Sequence, residues 1–499
     1  MGRSRNYESG LYNQYEELLD KFEKQEILLK ETNKLVSTLN KTIEAQNNKM
    51  EEMQKIIDEQ AKEILRLKSK SDKDSSNSSK PSSTNGYKKV IINRREKSNN
   101  KQGGQKNHEP HSLNNKLEQY INSGNVYEEI IEINKNDTNK SKRYIEKVVI
   151  DIQITKLVKR YRYYPYEDGK YHIPKVHNQY VQYGPVVKAI STDLMNNLYN
   201  STDGVTRFIE DITNGGITLS KGTLINWNNE LSSKLNPEIE NIESKLLDSY
   251  YLNQDESQIK INGDGHNILC ACNDKYVRLW QSKHKSQEAI DEIGFLPKFK
   301  GVIVKDGTEL YNKYGCFLAQ CLSHILRYLK GIYDFVDHKA PKKLADFLSK
   351  YNTKRNELIS KDISSFSDAE YSDIIREYES IIDEWEVELR EDIDNYMFDE
   401  ELKLWTRMKY DNKKMDPTIR GDKEEILYFL KDFKVPSTNN PAEVAQRGVK
   451  IKQKIGKFRS VEGADTYSII KSCILTYKKN KRNVFDALVS AFNNHIIIV

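Results

Sequence analysis

Cysteine is scarce in this chain, five in 499 residues. The five (Cys270, Cys272, Cys316, Cys321 and Cys473) are odd in number and scattered, so they form no disulfide framework and suit a reducing compartment. Long hydrophobic runs are missing too. No stretch of eighteen apolar residues occurs, and the opening MGRSRNYESG has no apolar signal core. The expectation is a cytoplasmic chain with no membrane partner. Net charge is also small, +5, so only its distribution is informative. Residues 66–106 carry twelve Lys and Arg against three Asp and Glu, and 436–482 carry eleven against three. Residues 357–401 reverse this, with seventeen acids against three bases. Two basic segments around an acidic one suit a polyanion that touches defined parts of the chain, although charge runs are also common on plain solvated faces.

What is present begins with a heptad pattern. Steps of seven from Tyr15 give Phe22, Leu29, Val36, Ile43, Met50, Ile57 and Ile64, an unbroken apolar row. The matching d positions, Leu18, Gln25, Thr32, Leu39, Gln46, Met53, Gln60 and Leu67, are apolar in half the cases. This predicts a coiled coil over 8–70, used for homo-oligomerisation, with packing onto the chain's own body as the other reading.

A chain this long exceeds one compact core, and composition marks the further divisions. Residues 71–112 form a basic Ser/Asn/Gly-rich linker, in which Arg94, Arg95 and Lys101 are candidate phosphate contacts. Residues 113–180 alternate apolar and polar (YEEIIEINK, YIEKVVIDIQITKLVKRYRYYPY) and read as a strand-rich region. Residues 181–245 read as a helical DNA-binding region, with Ser220 as the N-cap of one of its helices. From 246 to 338, YYLNQDESQIKI, HNILCACN and KYVRLWQS read as three strands and SQEAIDEI as a helix. GVIVKD then reads as a buried strand, and CFLAQCLSHILRYLKGIY as a strand passing into a helix. Three antiparallel strands, a helix and further strand–helix units are the ribonuclease-H-like order, an α/β core. Residues 339–432 read as an acidic helical insertion. Residues 433–499 resume the core, with a helix starting near Pro441 behind Asn439 or Asn440.

Three acids stand out in that core. Asp255 is placed at the end of the first strand, Asp306 at the end of the buried strand GVIVKD, and Glu443 on the helix beyond the insertion. Carboxylates that converge from separate elements are what a two-metal phosphodiester site needs, because magnesium takes oxygen ligands and keeps several waters. Arg447 follows Glu443 by one helical turn, and Lys450, Lys452, Lys454, Lys457 and Arg459 extend a basic row suited to DNA backbone contacts. Cys321 and His324 have metal half-site spacing. Cys270 and Cys272, which would complete such a site, alternate onto one sheet face and read as core. Trp227 and Trp280 read as packing residues.

NQDES, VKDGTELYNKYG, QCLSHILRYL and VPSTNNPAEVAQRGVKIKQKIGKFRS together resemble the insertion-sequence-66 family of transposases. NSSKPSS (77–83), KQGGQKNH (101–108), VQYGPVVKAI and LSKGTLINW extend the resemblance along nearly the whole chain in the family's order. It implies a prokaryotic DDE-type transposase that cleaves element ends and joins them to target DNA, with no RNA guide. Asp255, Asp306 and Glu443 match the family's acidic triad, which implies Mg2+ or Mn2+. His324 and Arg327 match its His-x-x-Arg and would reach the scissile phosphate, with a satisfied helix histidine as the other reading. Lys305 stands where the family has Ser before the second acid, a change that could alter charge near the metals, and Ser257 stands in place of Thr. Residues 113–180 hold no cysteine where the family has a zinc finger, so zinc is not expected. The alternative reading is a catalytically inactive transposase-derived DNA-binding protein; a coiled-coil scaffold would explain only the first segment.

Overall fold

The structure is a computed structural model that describes residues 4–73, 117, 121, 129–131, 147–174, 177, 179–393, 397–411 and 421–499. Most of the expected linker, including Arg94, Arg95 and Lys101, lies outside the described residues, as does most of YEEIIEINK. The chain divides into two compact units, one drawn from 1–84, 183–205 and 220–499 and the other from 85–182 and 206–219.

In the first unit, α1 (Ser4–Asp72) is a single helix of 69 residues, about 100 Å long at 1.5 Å per residue. It contains no proline and one glycine. Ion pairs one turn apart, such as Lys21–Glu17 at 3.0 Å and Lys24–Asp20 at 2.6 Å, line its surface and add a few tenths of a kcal/mol each. Its apolar row is left in solvent: Tyr15 through Ile64 are between 48% and 67% exposed at the eight heptad positions.

The other unit departs from the sequence reading. Residues 147–166 were expected as strands, yet no strand is found among the described residues of 113–180. Val149, Ile152 and Val158 are exposed. Alternation makes a strand only when a neighbour completes the backbone ladder and one face is covered. These residues have neither among those described.

The core follows the expected order. Helices α2 (Pro185–Asn196), α3 (Thr202–Ile212), α4 (Lys221–Lys234) and α5 (Asn236–Leu247) come first. Ser220 caps α4 by accepting from the Thr223 amide at 3.0 Å. The sheet strands are β1 (Tyr251–Ile261), β2 (Asp264–Cys272), β3 (Val277–Ser282), β4 (Val302–Lys305) and β5 (Phe317–Gln320). Their order is β3-β2-β1-β4-β5; the first three are antiparallel, and β4 and β5 run parallel to β1. Asn262 and Gly263, both at positive φ (49° and 100°), make the two-residue turn that keeps β1 and β2 paired to their last residues. Asn-Gly is favoured there because both central residues need a left-handed backbone.

Helix α6 (Gln287–Ile293) joins β3 to β4, and α7 (Leu322–Tyr333) follows β5. The expected insertion is helical: α8 (Ala340–Ile359), α9 (Asp368–Glu391), α10 (Phe398–Lys409) and α11 (Lys423–Lys431). Its core joins Trp385, Tyr378, Trp405 and Phe429 to the α7 residues Ile325 and Leu329. The chain then returns as α12 (Asn440–Ile455), α13 (Val461–Lys479) and α14 (Val484–Phe492). Ala442, Ala445 and Val449 of α12 share a core with Ile259, Ile261, Cys270 and Cys272 of the sheet. The two strand cysteines are thus packing groups, as their spacing suggested. No helix among the described residues is long and apolar enough to cross a membrane.

Candidate active site

Asp255 lies in the middle of β1, opposite Cys270 of β2. The sequence reading put it at a strand end, but the Asn-Gly turn lets the ladder run six residues further. By strand alternation it shares a face with Ile259 and Ile261, the face that α12 covers. Asp306 directly follows β4, whose four residues are all buried, and its Oδ1 accepts from the Thr308 amide at 3.0 Å. Glu443 stands in the first turn of α12.

The three acids are near enough to act on one another. The Asp255 carboxyl is pushed up to about 7 from the usual 3.8, first by burial, then by the charges of Glu256, Asp306 and Glu443. Burial is the largest of these causes, and the neighbouring acids add to it.

Residues that the sequence reading treated as minor hold α12 against the strand. Asn439 precedes α12, and its side chain makes no cap bond. Its amide instead donates to the Gln254 carbonyl at 2.6 Å, and its Oδ1 accepts from Asn253 at 3.0 Å. Gln446, one turn past Glu443, donates to the carbonyls of Asp255 (3.3 Å) and Ile268 (2.8 Å). In the sequence, Asn439 and Gln446 flank Glu443. On the opposite face of β1, Glu256 accepts from Tyr311 at 2.6 Å and pairs with Lys285. In the sequence, Glu256 stood out only as part of NQDES, the motif that carries the family resemblance.

His324 and Cys321 meet Glu443. One ligand atom from each lies within 4.8 Å of the others, and His324 Nδ1 is 3.8 Å from Glu443 Oε1. Burial, then the Arg327 charge, lowers the His324 pKa, against the charges of Glu443 and Asp306, which raise it. Arg327 Nη1 is 3.4 Å from Nε2. A guanidinium can only donate, so Nε2 is the acceptor in that contact, while Nδ1, on the side of Glu443, is buried without a hydrogen-bond partner. Cys270 and Cys272 are not part of this group.

Of the basic row on and after α12, Arg447, Lys450, Lys454, Lys457 and Arg459 are exposed. Lys452 is half-buried, and burial lowers its pKa. Lys305 does not face the acids: its side chain is fully buried and pairs with Glu425 of the insertion at 2.9 Å.

A mixed sheet thus carries acids on β1, after β4 and on the returning helix α12. The family model described as Transposase IS66 family matches residues 184–466, more than half of the sequence, and the chain belongs to that family. No curated protein matches it.

Proposed function

We propose that this chain is a DDE-type, metal-dependent DNA transposase with a ribonuclease-H-like catalytic core. Asp255, Asp306 and Glu443 are its metal ligands. The strand order, with three antiparallel strands and two parallel ones beyond them, supports that fold. The observation that carries the chemistry is the Asp255 carboxyl, raised to about 7 by burial and the neighbouring acids. An all-oxygen donor set with excess negative charge fits Mg2+ or Mn2+. When bound, such ions supply a polarised water and stabilise charge on the phosphate.

The chain's own residues do the rest. Asn439 and Gln446 fix α12 so that Glu443 stands over β1. The Thr308 amide orients Asp306. His324 lies beside Glu443, and Arg327 stands behind it as a phosphate donor. Arg447, Lys450, Lys454, Lys457 and Arg459 track the DNA backbone, with Lys452 reaching it only at its tip. Water attacks the phosphodiester at an element end, the bond to the 3′ oxygen breaks, and that oxygen leaves as a hydroxyl. The hydroxyl then attacks a target phosphodiester and displaces its 3′ oxygen. Two ends must be held together, and the solvent-facing row of α1 supports pairing with a second copy of the chain as a coiled coil. Its place is the prokaryotic cytoplasm, at the nucleoid.

Cleavage and strand transfer on element-end DNA with Mg2+, wild type against Glu443→Gln, tests this reading. Nicking that vanishes in the variant supports it. Equal activity removes Glu443 from the ligands. Inactivity of both with DNA binding intact favours a binding protein.

A further inference from the structure

Lys305 and Gln320 are register partners at the ends of β4 and β5. Both side chains are buried, and both reach into the helical insertion. Lys305 Nζ pairs with Glu425 Oε2 of α11 at 2.9 Å. Gln320 donates to the same carboxylate oxygen at 3.1 Å and accepts from Arg407 of α10 at 3.2 Å. Arg407 in turn pairs with buried Asp422 at 2.6 Å. Two cations and two anions thus balance in a network that joins the insertion to the sheet edge. Lys305 Nζ also donates to the Thr308 carbonyl at 3.1 Å, and the Thr308 amide holds Asp306 Oδ1 at 3.0 Å. The turn that carries the second acid is therefore tied at both faces of one residue.

We propose that the insertion sets the orientation of Asp306 through Glu425 and Lys305, which makes Lys305 a positioning residue for the divalent-cation site. The inference rests on the reading of Asp306 as a metal ligand. A group that orients a ligand from behind changes metal affinity by about tenfold or more when it is removed, even where the fold is kept.

The test titrates Mn2+ against the full chain by paramagnetic resonance, with thermal unfolding measured on the same samples. Lys305→Met leaves Glu425 buried without its partner and risks misfolding, so the decisive variant is Lys305→Met with Glu425→Gln. Removing both charges together is often neutral for stability. The expected result is about tenfold weaker Mn2+ binding with unfolding near that of wild type. Wild-type Mn2+ affinity in a folded double variant overturns the inference. Asp306→Asn is the control: loss of Mn2+ binding there while the double variant binds normally refutes the positioning role alone. Undiminished binding in Asp306→Asn refutes the ligand assignment and the inference with it.

Discussion

Replacing Asp255 with asparagine should make the metal-free protein more stable while destroying its affinity for the metal. The carboxyl moves from 3.8 to about 7 on folding, chiefly through burial and then through Glu256, Asp306 and Glu443. A carboxyl raised on folding contributes stability below its unfolded value, and that stability is lost as pH climbs through the folded value. For Asp255 the loss runs from about pH 4 to pH 7. At 1.36 kcal/mol per pH unit it reaches roughly 4 kcal/mol above pH 7. An asparagine carries no charge at any of these pH values, so metal-free Asp255→Asn should gain on the wild type by an amount that grows across this window. At pH 4 the two should differ little. Denaturant unfolding at pH 4, 6 and 8 in chelator measures the gap. Mg2+ must also displace the Asp255 proton below pH 7, so wild-type affinity should fall about fivefold from pH 7 to pH 6. Calorimetry in buffers of different ionisation enthalpy should find close to one proton released on binding at pH 6. A stability gap that does not change with pH, or binding without proton release, would refute the reasoning.

Two further outcomes follow from the surfaces. Arg447, Lys450 and Lys454 are exposed on α12; the triple Ala variant should keep Mn2+ affinity but lower the slope of log affinity for DNA against log salt by about 0.9 per lost phosphate contact, measured by anisotropy from low to moderate salt. Ile43 and Met50 are exposed at successive heptad positions; Ile43→Lys with Met50→Lys should lower the mass found by sedimentation to that of one chain, while an unchanged mass would place self-association elsewhere.

Local chemistry decided a large part of this protein. The heptad row made α1 a continuous helix, the Asn262-Gly263 turn set the β1–β2 register, and Ser220 capped a helix where the sequence placed it. The candidate acids were legible for the same reason: an Asp directly after four buried strand residues has no packing role. Distant partners decided the rest, because burial and hydrogen-bond satisfaction depend on what the remote chain brings. Alternation over 147–166 gave exposed chain, since alternation alone supplies no neighbouring strand. Lys305, adjacent to an acid in sequence, turned away from it because Glu425, 120 positions further on, supplies the charge that lets an ammonium be buried. Asn439 looked like a helix cap, yet its amide bonds to β1, 185 residues earlier. The same long-range packing buries Asp255 and brings Asp306 and Glu443 beside it, adding to the adjacent Glu256 in raising its pKa.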